Sequence, residues 1–242
     1  MMRRACSSAL ACALLLFGCN RKHESASALH PTAYGAAIVH VSGEKQAVPI
    51  GTDLPQPLVV QVNDAQGNAV PGALVEFQGS SGSSLDPAAV LTDSSGQATA
   101  AVTLGSASGL NTLTATTRSS TGKPLEVKVT EIALGYQQNL GRVLSDRYCA
   151  RCHDSESTPE RVSNFDNLSP APHTFTDGET YNKLSDADLT ALIGHGGSSQ
   201  ERSPEMPPFA YTLRPSDLQA LIAYIRAVSD PPYHPHGLVY AK

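Results

Sequence analysis

Two cysteines three positions apart, with a histidine directly after the second, constrain this chain more than any other feature: Cys149-Ala150-Arg151-Cys152-His153. Residues i and i+3 on a helical turn share a face, so both thiols point to the same side. The C-x-x-C-H pattern is the one that fastens a c-type haem. The two sulfurs form thioethers with the porphyrin, and the histidine places a ring nitrogen on the iron. A zinc site needs a second ligand pair at matching spacing, and a thioredoxin-like dithiol needs a βαβ setting; neither is present. One covalently bound haem c is therefore expected, held by Cys149, Cys152 and His153.

An iron that shuttles electrons without taking up exogenous molecules needs a sixth ligand, and a thioether is a soft donor that raises the potential. Met206 sits in Pro204-Glu205-Met206-Pro207-Pro208-Phe209, where prolines on both sides lower the cost of ordering the loop. It is expected to be the second axial ligand. His195, before Gly196-Gly197, is the rival. His173, His234 and His236 lie in Pro-rich loop or tail sequence and are expected to face solvent, as is His40.

From about residue 135 the apolar period is that of a helix. Leu140, Val143, Leu144 and Tyr148 mark one helix leading into the haem motif. Ser185 with Asp188 caps a second, which carries Leu189, Leu192 and Ile193 and breaks at Gly194-His195-Gly196-Gly197. Pro215 opens a third, with Leu218, Leu221, Ile222 and Ile225 at i, i+3, i+4 and i+7, stopped near Ser229 by Asp230-Pro231-Pro232. Residues 34–134 alternate instead. Leu58–Val62, Ala73–Phe77, Ala98–Leu104, Thr112–Thr116 and Leu125–Val129 read as strands, separated by turns at Asp64–Asn68, Pro71-Gly72 and Asp93–Gly96. Asp64, Glu76 and Asp93 are scattered along this stretch, where solvated charge is expected.

The N-terminus sets the compartment. Arg3 and Arg4 precede an apolar run, Ala9 to Phe17, too short to span a bilayer and shaped like the hydrophobic region of a secretory signal. Leu16-Phe17-Gly18-Cys19 resembles the lipobox of bacterial lipoproteins, which implies a signal over residues 1–19, lipidation at Cys19 and attachment to a membrane through that lipid. Phe17 departs from the small residue usual in that motif. Asn20 in place of aspartate favours the outer membrane. Residues 20–33 read as a polar tether. Of the five cysteines, Cys6 and Cys12 leave with the signal, so none is spare.

Leu58–Asp64 running through Gly67–Gly72 to Val75-Glu76-Phe77, then Thr92-Asp93, Gly96-Gln97-Ala98, Leu104-Gly105 and Gly109-Leu110-Asn111, resembles the bacterial immunoglobulin-like repeats of invasin and intimin. The resemblance covers about one hundred residues and implies an all-β sandwich over 34–134, present once, as a spacer or docking module. The C-terminal half, residues 135–242, resembles class I cytochrome c through the C-x-x-C-H, the Met206–Phe209 loop and the last helix. It implies an all-α fold whose first and last helices cross at Gly141 near Tyr224. Two departures stand out: Ser145 replaces an aromatic, leaving Leu144 to fill the space, and the Gly-Pro that supplies a carbonyl to the proximal imidazole is missing, leaving Pro159 or Pro170 to supply it.

The net charge is −5, and residues 34–134 and 135–242 each carry four more acidic than basic groups, eight against four and thirteen against nine. Neither offers the basic stripe of a nucleic-acid binder. Partners are expected to be redox proteins with basic docking patches. The expected whole is a membrane-anchored carrier on the periplasmic side of a bacterial envelope, not an enzyme, exchanging electrons by outer-sphere transfer, with Leu218, Leu221, Ile222 and Phe209 walling the haem. Two alternatives remain open: a haem enzyme or sensor with a labile sixth ligand, and a surface interaction protein that works through the immunoglobulin-like domain.

Overall fold

The computed structural model describes residues 29–235; the signal-like segment, Cys19, most of the tether and His236 lie outside the described residues. Nine strands come first: β1 (Ala37–Ser42), β2 (Ala47–Pro49), β3 (Leu58–Asn63), β4 (Leu74–Gly79), β5 (Ser84–Asp86), β6 (Ala89–Leu91), β7 (Gln97–Thr103), β8 (Gly109–Arg118) and β9 (Pro124–Leu134). Alternation decides which way each faces. Leu58, Val60 and Val62 of β3 and Ala98, Ala100 and Val102 of β7 are buried, and the residues between them are not. Two sheets result, ordered β1-β3-β7-β5 and β2-β9-β8-β4-β6, sharing one core. Neighbours run antiparallel except β2, which lies parallel to β9. All five expected strands are present. The four that sequence pattern missed are the sheet edges, three of them only three residues long, and β1 carries a bulge between His40 and Ser42.

Two of the acids read as solvated charge have a structural task. Asp64 Oδ1 accepts from the backbone of Gln66 (2.9 Å) and Asn68 (2.8 Å), and Asp93 Oδ1 from Ser95 (2.8 Å) and Gln97 (2.9 Å), closing the two turns. His40, expected on the surface, is instead largely covered, its Nδ1 lying 3.5 Å from a Glu44 oxygen; β1 turns it towards the interior in step with Ile38.

Among the described residues, Glu131 is the one carboxylate with no exposure at all. It points inward from β9, accepts from the Gln46 backbone N–H at 2.7 Å, and leaves its other oxygen without a partner. Burial, with Glu44 nearby, pushes its carboxyl up to about 7. A carboxyl raised in the folded state takes up protons more readily there than in the unfolded chain. Its contribution is therefore complete below the ordinary carboxylate range and is lost as pH rises towards 7. At 1.36 kcal/mol per pKa unit the loss is roughly 3 kcal/mol. Urea unfolding followed at pH 5 and pH 8 should show the sandwich less stable at pH 8, and Glu131→Gln should remove most of that difference. Equal slopes for both proteins would show that Glu131 is not buried as described.

Five α-helices follow among the described residues: α1 (Tyr136–Tyr148), α2 (Ala150–His153), α3 (Gly178–Tyr181), α4 (Asp186–His195) and α5 (Pro215–Val228). The capping at Ser185 is reciprocal: its Oγ accepts from Asp188 N–H (3.1 Å), and Asp188 accepts from Ser185 N–H (3.0 Å). α5 starts at Pro215, with Asp217 accepting from the Arg214 backbone at 3.0 Å. α1 packs on α5 through small residues. A Cβ added at Gly141 would stand 1.9 Å from the Ala220 carbonyl oxygen and 2.7 Å from Tyr224 Cβ, so only glycine allows the two helices this close. The buried face of α1 is therefore set by Gly141 and Ser145, flanked by Leu144 and Tyr148; Val143, expected on it, is 49% exposed.

Arg226 fastens the bundle from α5. Its guanidinium is nearly covered, donates to the Tyr181 (2.8 Å) and Leu184 (2.6 Å) carbonyls, and pairs with Asp186 at 2.9 Å. Only Gly135 separates β9 from α1, its N–H donating to Gln138 Oε1 at 2.9 Å. β9 also packs on α1 and α5, and Lys45 pairs with Asp230 at 3.3 Å. No helix among the described residues is long and apolar enough to cross a membrane.

Candidate functional site

α1 ends at Tyr148 and the chain turns through Cys149 into α2, where the N–H groups of Cys152 and His153 both donate to the Cys149 carbonyl (3.0 and 2.9 Å). One tight turn thus carries both thiols and the imidazole. In front of it opens a cavity of about 360 Å³ lined by Cys149, Cys152, His153 and Met206, with apolar walls that include Leu221 and Phe209. That volume lies in the range of cofactor clefts, about 300–1,000 Å³.

Met206 reaches the cavity because two glycines let its loop fold back on the end of α4. Gly196 closes the helix at φ 79°, and Gly197 N–H donates to the Met206 carbonyl at 3.0 Å. A Cβ at Gly197 would stand 2.0 Å from the Ser203 carbonyl oxygen, so the pair read as a helix breaker also permits a close approach. Phe209 N–H donates to Ile193 at 3.1 Å and ties the far side of the loop to the same helix.

His153 Nδ1 lies 2.7 Å from the His173 carbonyl oxygen. A carbonyl can only accept, so Nδ1 carries the proton and Nε2 keeps a free lone pair, the tautomer a metal-binding imidazole needs. Burial holds the ring's pKa below its ordinary value, so it is neutral. Phe175 stacks on the ring, centroids 4.9 Å apart and planes 19° from parallel. The carbonyl expected from Pro159 or Pro170 thus comes from His173. Pro170 reaches the cavity wall, but the Thr174–Asp177 turn, held by Asp177 accepting from Thr180 N–H at 3.1 Å, brings the His173 oxygen to the ring instead. Any residue type can offer a backbone carbonyl, so no side-chain signal marked this one. The His173 side chain is exposed, as expected, with Nδ1 2.7 Å from Asp177 Oδ2.

The rival ligand is not brought to the site: His195 is exposed at the end of α4 and does not line the cavity. Of the four wall residues expected, Leu221 and Phe209 line it, while Leu218 and Ile222 turn into the core and Ile225 takes a place on the wall. Ser145 is buried against α5, and Leu144 packs beside it on the core that backs the cavity. Burial, with Cys152 nearby, pushes the Cys149 thiol up to about 12, so it is a neutral part of the wall. Two thiols on one turn, a neutral imidazole with Nε2 free, a thioether and apolar walls around one cavity fit a haem c.

Two families match the chain. The one described as bacterial Ig-like domain (group 1) matches residues 41–130, and the one described as cytochrome c oxidase, cbb3-type, subunit III matches residues 137–225. Among solved structures, invasin, titled a bacterial integrin-binding protein, is 20% identical over 40% of this chain, with a TM-score of 0.30. The D00-D0 domain of intimin is 21% identical over 40%, also at 0.30. The chain spans 19% of that invasin chain and 46% of that intimin chain. No curated protein matches it.

Proposed function

Taking the chain as a bacterial Ig-like domain joined to a cytochrome c domain, we propose that it carries single electrons in a bacterial cell envelope on one haem c. When bound, that group supplies an Fe(III)/Fe(II) couple that exchanges electrons by outer-sphere transfer. Cys149 and Cys152 would hold it covalently, His153 Nε2 and Met206 Sδ would be the ligands to its iron, and the His173 carbonyl holds the His153 ring in the tautomer that leaves Nε2 free. The apolar wall excludes water, which favours the less charged state of the site. Lipid at Cys19, outside the described residues, attaches the protein to a membrane, the outer one favoured. The sandwich of residues 34–134 is its spacer or docking module, and its partners are redox proteins with basic patches facing the acidic haem domain of residues 135–242.

The observation that carries this reading is the convergence of two thiols, a neutral imidazole and a thioether on one apolar cavity. The full chain produced in an exporting, haem-loading host should retain one haem after denaturation. Its oxidised spectrum should show the weak long-wavelength band of a sulfur–iron bond. A protein that loses its haem on denaturation, or whose native form binds carbon monoxide readily, would overturn it. The cbb3-type subunit III family match favours a second reading, in which the same domain passes electrons as a subunit of a terminal oxidase; copurification with oxidase subunits distinguishes it from a free carrier.

A further inference from the structure

The His173 carbonyl serves two donors. His153 Nδ1 lies 2.7 Å from it, and the Tyr181 hydroxyl donates to it at 3.1 Å. The same hydroxyl oxygen stands 3.4 Å from His153 Nδ1, so imidazole, carbonyl and phenol form one small cluster behind the proximal ring. Tyr181 is buried at the end of α3, edge-on to Phe175 at 5.6 Å, with its own carbonyl held by Arg226. A phenol keeps its proton at neutral pH, and with the His173 carbonyl able only to accept, the hydroxyl is the donor of this bond.

A hydrogen bond from a ligand imidazole to a carbonyl raises the basicity of the nitrogen on the metal, and hence stabilises the oxidised iron. A second donor on the same oxygen draws electron density away from it and weakens that effect. The phenol oxygen itself is too far from Nδ1, at 3.4 Å, to replace what the carbonyl loses.

We infer that Tyr181 is a positioning residue for the electron-transfer site: by sharing the His173 carbonyl with His153, its hydroxyl weakens the proximal hydrogen bond and raises the reduction potential. This rests on the reading of His153 as an iron ligand.

The test compares the haem-loaded full chain with Tyr181→Phe, which keeps the ring against Phe175 and removes only the donor. The variant should reduce less readily by about threefold in its equilibrium constant, a fall of about 28 mV at about 59 mV per tenfold for one electron. The His153 ring N–H of the reduced protein should move downfield in the nuclear magnetic resonance spectrum as its bond to the carbonyl strengthens. An unchanged or higher potential with the sulfur–iron band intact overturns the inference, as does a lower potential with an unmoved ring proton. In the wild type, a slowly exchanging Tyr181 hydroxyl proton should show an Overhauser contact to that ring proton. Its absence overturns the inference even if the variant does not fold. A wild type without covalent haem instead removes the cofactor reading, and this inference with it.

Discussion

Gly141→Ala should destabilise the helical domain by about 3 kcal/mol or more and leave the β-sandwich standing. Two effects oppose each other. Alanine in a helix interior is better than glycine by roughly 1 kcal/mol. Against that, the added Cβ would lie 1.9 Å from the Ala220 carbonyl oxygen and 2.6 Å from its carbon, both main-chain atoms that no side-chain rotation can move. α1 and α5 must separate, and Leu144 and Tyr148 then lose packing against the buried core to which Leu221 and Ile225 belong, so overpacking wins. For a domain of this size the loss lowers the melting temperature of the helical transition by on the order of 15 °C. Differential scanning calorimetry of the full chain checks it. A helical transition that stays put or rises would mean that the helices do not cross at this glycine.

Met206→Ala should open the site without collapsing it. The loop is held by main-chain bonds, Gly197 N–H to the Met206 carbonyl and Phe209 N–H to Ile193, neither of which involves the thioether. The variant should therefore keep its fold and covalent haem while losing the sulfur–iron band. It should bind carbon monoxide when reduced and take up electrons less readily, because a thioether ligand raises the potential. Optical titration with carbon monoxide and a redox titration read these outcomes. A variant that keeps the band, or still refuses carbon monoxide, would assign the sixth position to another residue.

Much of this architecture is legible in the chain because it is written in side chains with a period. Leu58, Val60 and Val62 declare a strand by alternation, and Leu218, Leu221, Ile222 and Ile225 declare a helix by their spacing. The haem motif is legible for a different reason, since its chemistry demands those residue types at that spacing. What stayed hidden has no such signature. β5 and β6 are too short to show a period, and their partners β7 and β4 define them. Val143 fits a helical stripe yet faces solvent, because the closest contact of α1 is made by a glycine, which hydropathy does not score. The proximal acceptor is a main-chain atom of an exposed histidine, found only once the Thr174–Asp177 turn is folded. Glu131 lies beyond the Leu125–Val129 stretch read as a strand, and only the full length of β9 shows it in phase with Val127, Val129 and Ala133 on the inward face.

The passage from β9 to α1 through Gly135 alone, with α1 and α5 leaning on the last strand, has a consequence for how this chain meets other molecules. A jointed pair of modules searches many orientations after one of them is caught, and loses that freedom on every productive encounter. Here the single-residue connection and the contacts of α1 and α5 with β9 narrow that search, so a grip on the β-sandwich would restrict where the cavity faces. On the proposed function, a partner fitted to the sandwich would therefore meet the haem site from a restricted set of directions.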